Sequence, residues 1–319
     1  MSRSPELSGV LIAVPNQRTG KAEVNLDGII VVNKPRTWTS HDVVNKMRGI
    51  AGTRRVGHLG TLDPLATGVL PVMIGQATRL AQFFDKADKA YDAVVRFGFA
   101  TSTYDADGEP VGDPVEPALL ADHIEACLAP MRGEILQTPP PVSAKKIGGV
   151  PAYKLARKNI PVELAPVKVT IYELSLLGID GCRARLRVRC SAGTYVRTIA
   201  HQLGQSLGCG AHIEELERTA SGPFRLAQAR TLEELQLLKD EGRLADALLA
   251  GSDLLPDFPA VYVDDTTLAQ IRQGRDFAVS PFRVNAGSEH VKAIGPDGRL
   301  AAIGKIALPH VYHPMVVLA

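Results

Sequence analysis

The chain has 319 residues, 45% of them hydrophobic, with a formal net charge of +2. This is the balance of an ordinary globular protein, and it excludes fibrous, collagen-like and intrinsically disordered classes. It also excludes a global basic field, so any affinity for nucleic acid has to come from locally clustered cations.

Residues 1–26 mix Ser, Pro, Gly, Asn and charge without a period and read as a mobile tail. The one apolar run in it, GVLIAV, is too short for a signal-peptide core or a membrane span, so no exported or membrane-embedded chain is expected. The fold starts near Asp27 with a β-branched strand, GIIVVNKP. A helix follows, with Ser40 as its expected N-cap and an apolar stripe of Val43, Val44, Met47 and Ile50. Residues 54–72, RRVGHLGTLDPLATGVLPV, then read as a tightly shaped loop, because Gly57, Gly60 and Gly68 permit positive φ and Pro64 fixes the residue after Asp63. VLPVMIG is a buried strand, ATRLAQFF a helix, and KAYDAVVRFGFA a half-exposed strand in which Tyr91, Ala93, Val95 and Phe97 share one face. YDADGEP is a turn, residues 118–128 a helix, and QTPPPVSAKKIGGVP an irregular passage. VKVTIYELSLLGIDGCRARLRVRCSA forms a hairpin-like pair, and GTYVRTIAHQLGQSLG a helix ending at glycine. A proline-interrupted stretch, GSDLLPDFPAVYVDD, precedes a small β-rich region that includes the helix TTLAQIRQG. Strands and helices mixed without a strict βαβ rhythm predict an α+β fold with a mixed or antiparallel sheet. The expected domains are 27–257 and 258–319.

The chain lacks a G-x-x-x-x-G-K-[ST] phosphate loop, a G-x-G-x-x-G after a strand, and His-Glu-x-x-His. Cys127, Cys182, Cys190 and Cys209 form no Cys-x-x-Cys pair, which argues against a zinc site or disulfide framework and fits a reducing cytoplasm. Asp63 is the lone acid of its glycine-rich segment, and it either caps a turn or is presented for chemistry. Tyr195 and Arg197 sit in a second glycine-bearing segment, RCSAGTYVRT. Arg183, Arg185, Arg187 and Arg189 alternate along a strand, so they share one face, either as a phosphate grip or as a solvated surface. Lys145, Lys146, Arg157 and Lys158 near Tyr153 make a second basic patch. Cys190 is expected to be an inert buried thiol rather than a nucleophile. His58, flanked by glycines, is expected to be exposed, with a contact role open.

RRVGHLGTLDPLATGVLPVMIGQATR closely resembles the catalytic motif of the TruB-type tRNA pseudouridine synthases, which isomerise the uridine at position 55 of the T loop. GIIVVNKPRTWTSHDVV resembles that family's Lys-Pro motif, KAYDAVVRFGFATSTYDADG its tyrosine motif, QTPPPVSAKKIGGVPAY its Pro-rich segment, and CSAGTYVRTIAHQLGQSLGCGAHIEELERT its arginine motif. These segments occur in family order over roughly residues 27–220. The departures are minor: Leu59 and Thr61 differ from the choices common in the family. The resemblance implies Asp63 as catalytic aspartate with Arg197 and Tyr91, and His58, Tyr91, Tyr195 and Leu216 around the target uridine. It implies RNA contacts from Lys34, Arg54, Arg55, Lys146 and Arg157, a T-arm-gripping insertion at about 138–165, and a PUA-like RNA-binding domain at 258–319. A cytoplasmic monomer is expected, with tRNA as substrate, no cofactor, no metal and no obligatory protein partner.

The residue types suit this reaction. Converting uridine to pseudouridine changes no oxidation state, and one carboxylate suffices, whereas glycoside hydrolysis normally uses two. Whether Asp63 attacks ribose C1′, attacks uracil C6 or acts through a glycal stays open. Arg197 beside Asp63 is expected to lower its pKa and keep it ionised. Flipping a base costs a few kcal/mol, and stacking on tyrosine, ~1–3 kcal/mol per base, offsets that. The rivals are an RNA-binding protein without turnover, whose binding needs no acid facing RNA, and a base-removing glycosidase, which lacks its second carboxylate.

Overall fold

The computed structural model describes residues 26–142, 146–147, 150–151, 164–282 and 288–318. The expected mobile tail up to residue 25, Lys145, Tyr153, Arg157, Lys158 and the side chain of Lys146 lie outside the described residues.

In chain order the strands are β1 (Gly28–Lys34), β2 (Val56–His58), β3 (Thr67–Ile74), β4 (Lys89–Phe97), β5 (Ala100–Thr101), β6 (Pro110–Val111), β7 (Gly133–Gln137), β8 (Lys146–Ile147) and β9 (Val150–Pro151). They continue as β10 (Val167–Asp180), β11 (Arg183–Cys190), β12 (Ala211–Ser221), β13 (Phe224–Arg225), β14 (Ala260–Tyr262), β15 (Phe277–Ala278), β16 (His290–Ile294), β17 (Leu300–Leu308) and β18 (Val311–Val317). The helices are α1 (Ser40–Ala51), α2 (Ala121–Leu128), α3 (Val196–Ser206), α4 (Leu232–Asp240) and α5 (Asp265–Arg272).

Nine strands form the larger sheet, in the order β1-β3-β12-β4-β11-β10-β7, with β2 on β3 and β13 on β12. Its pairings are antiparallel except β12 with β3, where Glu217 faces Thr67 and Arg218 faces Gly68. The sheet is therefore mixed, and its one parallel junction lies beside the Asp63 loop. Five strands form the smaller sheet, in the order β14-β16-β17-β18-β15.

Apolar stripes on α1 (Val43, Val44, Met47, Ile50) and α3 (Val196, Ile199, Ala200, Leu203) cover one face of the large sheet. The opposite face of β1 and β3 presents Ile29, Val31, Val69 and Met73 to Leu254, Leu300, Ile303, Val316 and Leu318 from the smaller sheet and the segment leading to it. Covered on both sides, β3 is buried from Gly68 to Ile74, which explains why its sequence runs apolar without alternation.

Three elements differ locally from the sequence reading. The N-cap of α1 is Thr39, one residue earlier than expected, because Thr39 and Asp42 close a reciprocal capping box. Residues Gly75–Phe83 form a 3-10 helix. Val56–His58 adds to β3 as a short strand, with His58 opposite Val72, so the shaped loop shrinks to residues 59–66.

Candidate active site

The Asp63 loop is held from below by the chain between β1 and α1. The Ser40 hydroxyl, freed from capping, accepts from Leu62 N at 2.8 Å and donates to Leu62 O at 3.2 Å. Thr37 N donates to Pro64 O at 2.8 Å. Lys34 Nζ donates to the carbonyls of Trp38 (2.6 Å), Pro35 (2.8 Å) and Pro64 (3.3 Å). This corrects the phosphate-contact expectation for Lys34: its side chain is fully buried, bound to backbone, and burial pushes its pKa down to about 8.

So held, the loop aims Asp63 at Arg197, the second residue of α3. Arg197 is 4% exposed and its Nε lies 2.9 Å from Asp63 Oδ2. The same guanidinium meets Asp105 Oδ2 at 3.0 Å and donates to Thr103 O (2.8 Å) and Val142 O (3.0 Å). Arg197 is thus shared between two carboxylates, and its charge is not Asp63's alone. The Asp63 side chain is 37% exposed and lines the cavity above it, with protein packed closely around it. Burial raises its pKa, Arg197 opposes the rise, and Asp105 adds to it, so the pKa ends above the ordinary aspartate range. The expected depression by Arg197 is present but outweighed.

A cavity of about 260 Å³ opens over this acid, lined by Asp63, Tyr91, Tyr195, Arg197, Leu216 and Arg218 among others. The structure thus brings together five of the residues expected from sequence: Asp63, Arg197, Tyr91, Tyr195 and Leu216. Tyr91 and Leu216 come from neighbouring strands, β4 and β12, and are buried at the cavity wall. Burial raises the Tyr91 pKa, so its phenol stays protonated. Tyr195 caps α3, and buried Gln137 grips its backbone at both ends, accepting from Tyr195 N at 2.8 Å and donating to Tyr195 O at 3.1 Å. A wider recess of about 340 Å³ lies between the two sheets, but its walls are mainly aliphatic, with Leu80, Leu248, Leu254 and Leu300 among them.

His58 is not on the exposed loop expected for it. Strand pairing in β2 half-buries the ring, burial pushes its pKa down, and it does not line the cavity. Arg54 and Arg55 are exposed at the mouth of β2. Arg183, Arg185, Arg187 and Arg189 do share one strand face, yet Arg183 pairs with Glu214 at 2.5 Å, Arg187 with Asp92 at 2.9 Å, and Arg189 lies over the Tyr172 ring at 4.8 Å. That face is largely neutralised by its neighbours. Cys190 is buried and its thiol is pushed up to about 11, the behaviour of an inert thiol. The four cysteines are free, and among the described residues no cluster of His, Cys, Asp and Glu is placed to hold a metal ion.

Among the site residues that escaped the sequence reading are Ser40, Asp85, Lys89, Asp105, Gln137 and Arg218. For Arg218 a signal existed, because it lies two residues after Leu216 on one strand and so on the same face. Asp105 looked like an ordinary turn acid in YDADGEP, and Gln137 like the edge of an irregular passage.

A crowded carboxylate, ion-paired to a buried arginine beneath a tyrosine-walled cavity whose rim also carries Asp85, has the makings of an enzyme active site. The comparisons with known proteins agree. A family model for the TruB family pseudouridylate synthase N-terminal domain matches residues 48–196, and one for the tRNA pseudouridylate synthase B C-terminal domain matches residues 197–254. A relative from Solibacter usitatus named tRNA pseudouridine synthase B is 59% identical over 92% of this chain and 100% of its own length. One of the same name from Stutzerimonas stutzeri is 42% identical over 89% of this chain and 92% of its own. Among solved structures, a Cbf5-Nop10-Gar1 complex aligns with TM-score 0.67 at 28% identity, covering 92% of this chain and 85% of that one. An H/ACA RNP bound to a substrate RNA containing 2′-deoxyuridine aligns with TM-score 0.66 at 26% identity, over the same shares. The chain belongs to the TruB family of pseudouridylate synthases.

Proposed function

We propose that the protein isomerises the uridine at position 55 in the T loop of tRNA to pseudouridine, with Asp63 as the catalytic carboxylate. The observation that carries this reading is Asp63, ion-paired at 2.9 Å to a buried arginine, at the floor of a cavity walled by Tyr91, Tyr195 and Leu216. The names of the relatives support tRNA as substrate. The reaction breaks the N1–C1′ bond, turns the uracil and joins C5 to C1′, with the C5 hydrogen lost as a proton. Asp63 serves as nucleophile or base, Arg197 holds it in place, and Tyr91 offers a face on which the flipped base stacks. Exposed Arg54 and Arg55 supply phosphate contacts near the loop, joined by Lys146 and Arg157 of the 138–165 insertion and by the 258–319 domain, which acts as a PUA-like RNA-binding module. The enzyme acts as a cytoplasmic monomer.

The test uses a T-arm stem-loop carrying uridine tritiated at C5, because C5 loses its hydrogen only when it becomes the glycosidic carbon. Wild-type protein releases tritium; Asp63→Asn binds the same RNA and releases none above background. Release by the Asn variant at the wild-type rate removes Asp63 from the chemistry. Binding without release by either protein favours a binding-only role.

A further inference from the structure

Arg218 is a fully buried, charged side chain whose role the reaction outlined above leaves unassigned. Its partners are carbonyl oxygens rather than a carboxylate. Nε donates to Val69 O at 2.8 Å, Nη2 to Gly60 O at 3.0 Å and Nη1 to Thr61 O at 3.3 Å. Gly60 and Thr61 enter the Asp63 loop and Val69 lies just beyond its exit, so one guanidinium ties both ends together. Tyr91 sits directly opposite Arg218 across the β12–β4 pair, and its phenol shares the cavity wall with the guanidinium. Burying a cation with no carboxylate hydrogen-bonded to it is costly, so the three carbonyls that meet Arg218 are what hold it in place.

A neighbouring glycine agrees. A Cβ on Gly68, which has φ +96°, would meet the Arg218 carbonyl oxygen at 2.4 Å, so only glycine lets β3 run beside β12 at this point. Gly60 has φ +87° and lies with its Cβ position 3.6 Å from Arg218 Nη1. Gly68 is thus required by the close approach of β3 to the β12 backbone at Arg218, whereas a side chain at Gly60 would meet the guanidinium only at ordinary contact distance.

The chemistry of the pairing has a direction. A guanidinium only donates, so toward it the Tyr91 oxygen can only accept, and the phenolic proton is left to point elsewhere. Tyr91 and Arg218 both line the cavity over Asp63, and the open side available to that proton is the cavity. We infer that Arg218 is a positioning residue for the isomerisation: it locks the loop that carries Asp63 and turns the Tyr91 hydroxyl into a hydrogen-bond donor aimed into the cavity, beside the base that stacks on its ring. This rests on the function proposed above. Burial keeps the phenol protonated and able to serve as that donor.

The test is a double-mutant cycle of Arg218→Lys and Tyr91→Phe, read by tritium release from the T-arm stem-loop under saturating and limiting RNA, with thermal melting as the folding control. Arg218→Lys keeps the charge but loses the planar fork, so turnover at saturating RNA should fall roughly 10- to 100-fold while KM for the RNA moves less than about threefold. Arg218→Met should fall further, and Lys should restore part of the difference. Because both residues act through one hydroxyl, the double variant should be no more than about twofold slower than the slower single variant. Additive losses, unchanged turnover in Arg218→Lys, or a loss expressed only in KM overturn the inference. Should the Arg218 variants not fold, Tyr91→Phe alone decides: wild-type turnover in that variant overturns it, and a fall at saturating RNA with unchanged KM supports it. A wild-type protein that releases no tritium strikes the proposed function itself, a separate result.

Discussion

Asp63 is held between opposing influences, and the balance makes its pH behaviour testable. Burial and Asp105 favour the protonated form while Arg197 favours the carboxylate, with the net shift upward from 3.8. The ionised form is the one that can act as nucleophile or base, so the acid limb of turnover should lie at higher pH than an unperturbed aspartate would give. Single-turnover rates across the acid range check this; a limb at or below the ordinary aspartate value contradicts it. Stability follows the same linkage with the opposite consequence. A carboxyl whose pKa is raised on folding binds its proton more tightly in the folded state, so its contribution to stability declines as pH rises between the unfolded and folded values. Above that window the charged acid is a liability to the fold, and Asp63→Asn should melt at or above the wild-type temperature at neutral pH while losing turnover. A clear drop in melting temperature would show that the Arg197 contact outweighs burial. The lone acid among glycines left Asp63 open between a turn role and chemistry, and it was the resemblance of the surrounding motifs that singled it out. Lys34 was misjudged for a physical reason: a lysine after a β-branched run looks like an edge cation until three backbone carbonyls converge on it. Arg218 was passed over because the hydrogen bonds that define it span about 150 residues of chain, as in Arg218 to Val69 with a separation of 149.

The elements most easily read were those whose pattern is local. The stripe of Val43, Val44, Met47 and Ile50 gives α1, and the alternation RARLRVRC gives β11 with every second residue buried. The N-cap shifted by one residue because Thr39 and Ser40 are both competent caps and only tertiary structure chooses between them. That choice has a functional consequence, since Ser40 released from capping becomes the strut under Leu62. Ser40→Ala would leave a buried N–H and C=O of Leu62 without their partner, costing about 1–3 kcal/mol. The loss falls on the loop that carries Asp63, so turnover should drop along with stability, whereas Thr39→Ala should cost ~1 kcal/mol through the helix end alone and spare turnover. Denaturant melts paired with tritium release separate the two. Equal turnover in both variants would mean that the strut does not govern the loop. The segment after β3 looked helical by composition, but Gly75, with φ +62° and its Cβ position filled by Asp27, sets a tighter start from which a 3-10 helix runs.

The site is assembled from segments far apart in the chain: the Asp63 loop, β4, the start of α3 and β12 meet at one cavity. The boundary between the two family-model matches falls between Val196 and Arg197, so Asp63 and its arginine come from different matched segments. The smaller sheet looks peripheral to that cavity, since its strands contribute nothing to the lining. From sequence, its removal is expected to weaken RNA binding and leave turnover intact. The packing points elsewhere. Ile29, Val31, Val69, Met73 and Leu80 of the catalytic half share one apolar cluster with Leu300, Ile303, Val316 and Leu318, and Arg79 Nη1 bonds to Val317 O at 2.8 Å. Val69 belongs to that cluster through its side chain and to Arg218 through its carbonyl, so the two layers meet on the strand that leads out of the Asp63 loop. Deleting residues 258–319 would expose that face, and each large aliphatic returned to water costs about 1.5–3 kcal/mol, a sum comparable to the whole stability of a domain. The truncated chain should therefore melt well below the full chain or precipitate, and its lost activity should follow its unfolding. Thermal melting and tritium release of the 1–257 fragment, measured together at a temperature where the fragment stays folded, decide the matter. A fragment that melts with the intact protein would show that the shared cluster contributes little; one that melts early but turns over normally while folded would place the chemistry entirely in the larger sheet.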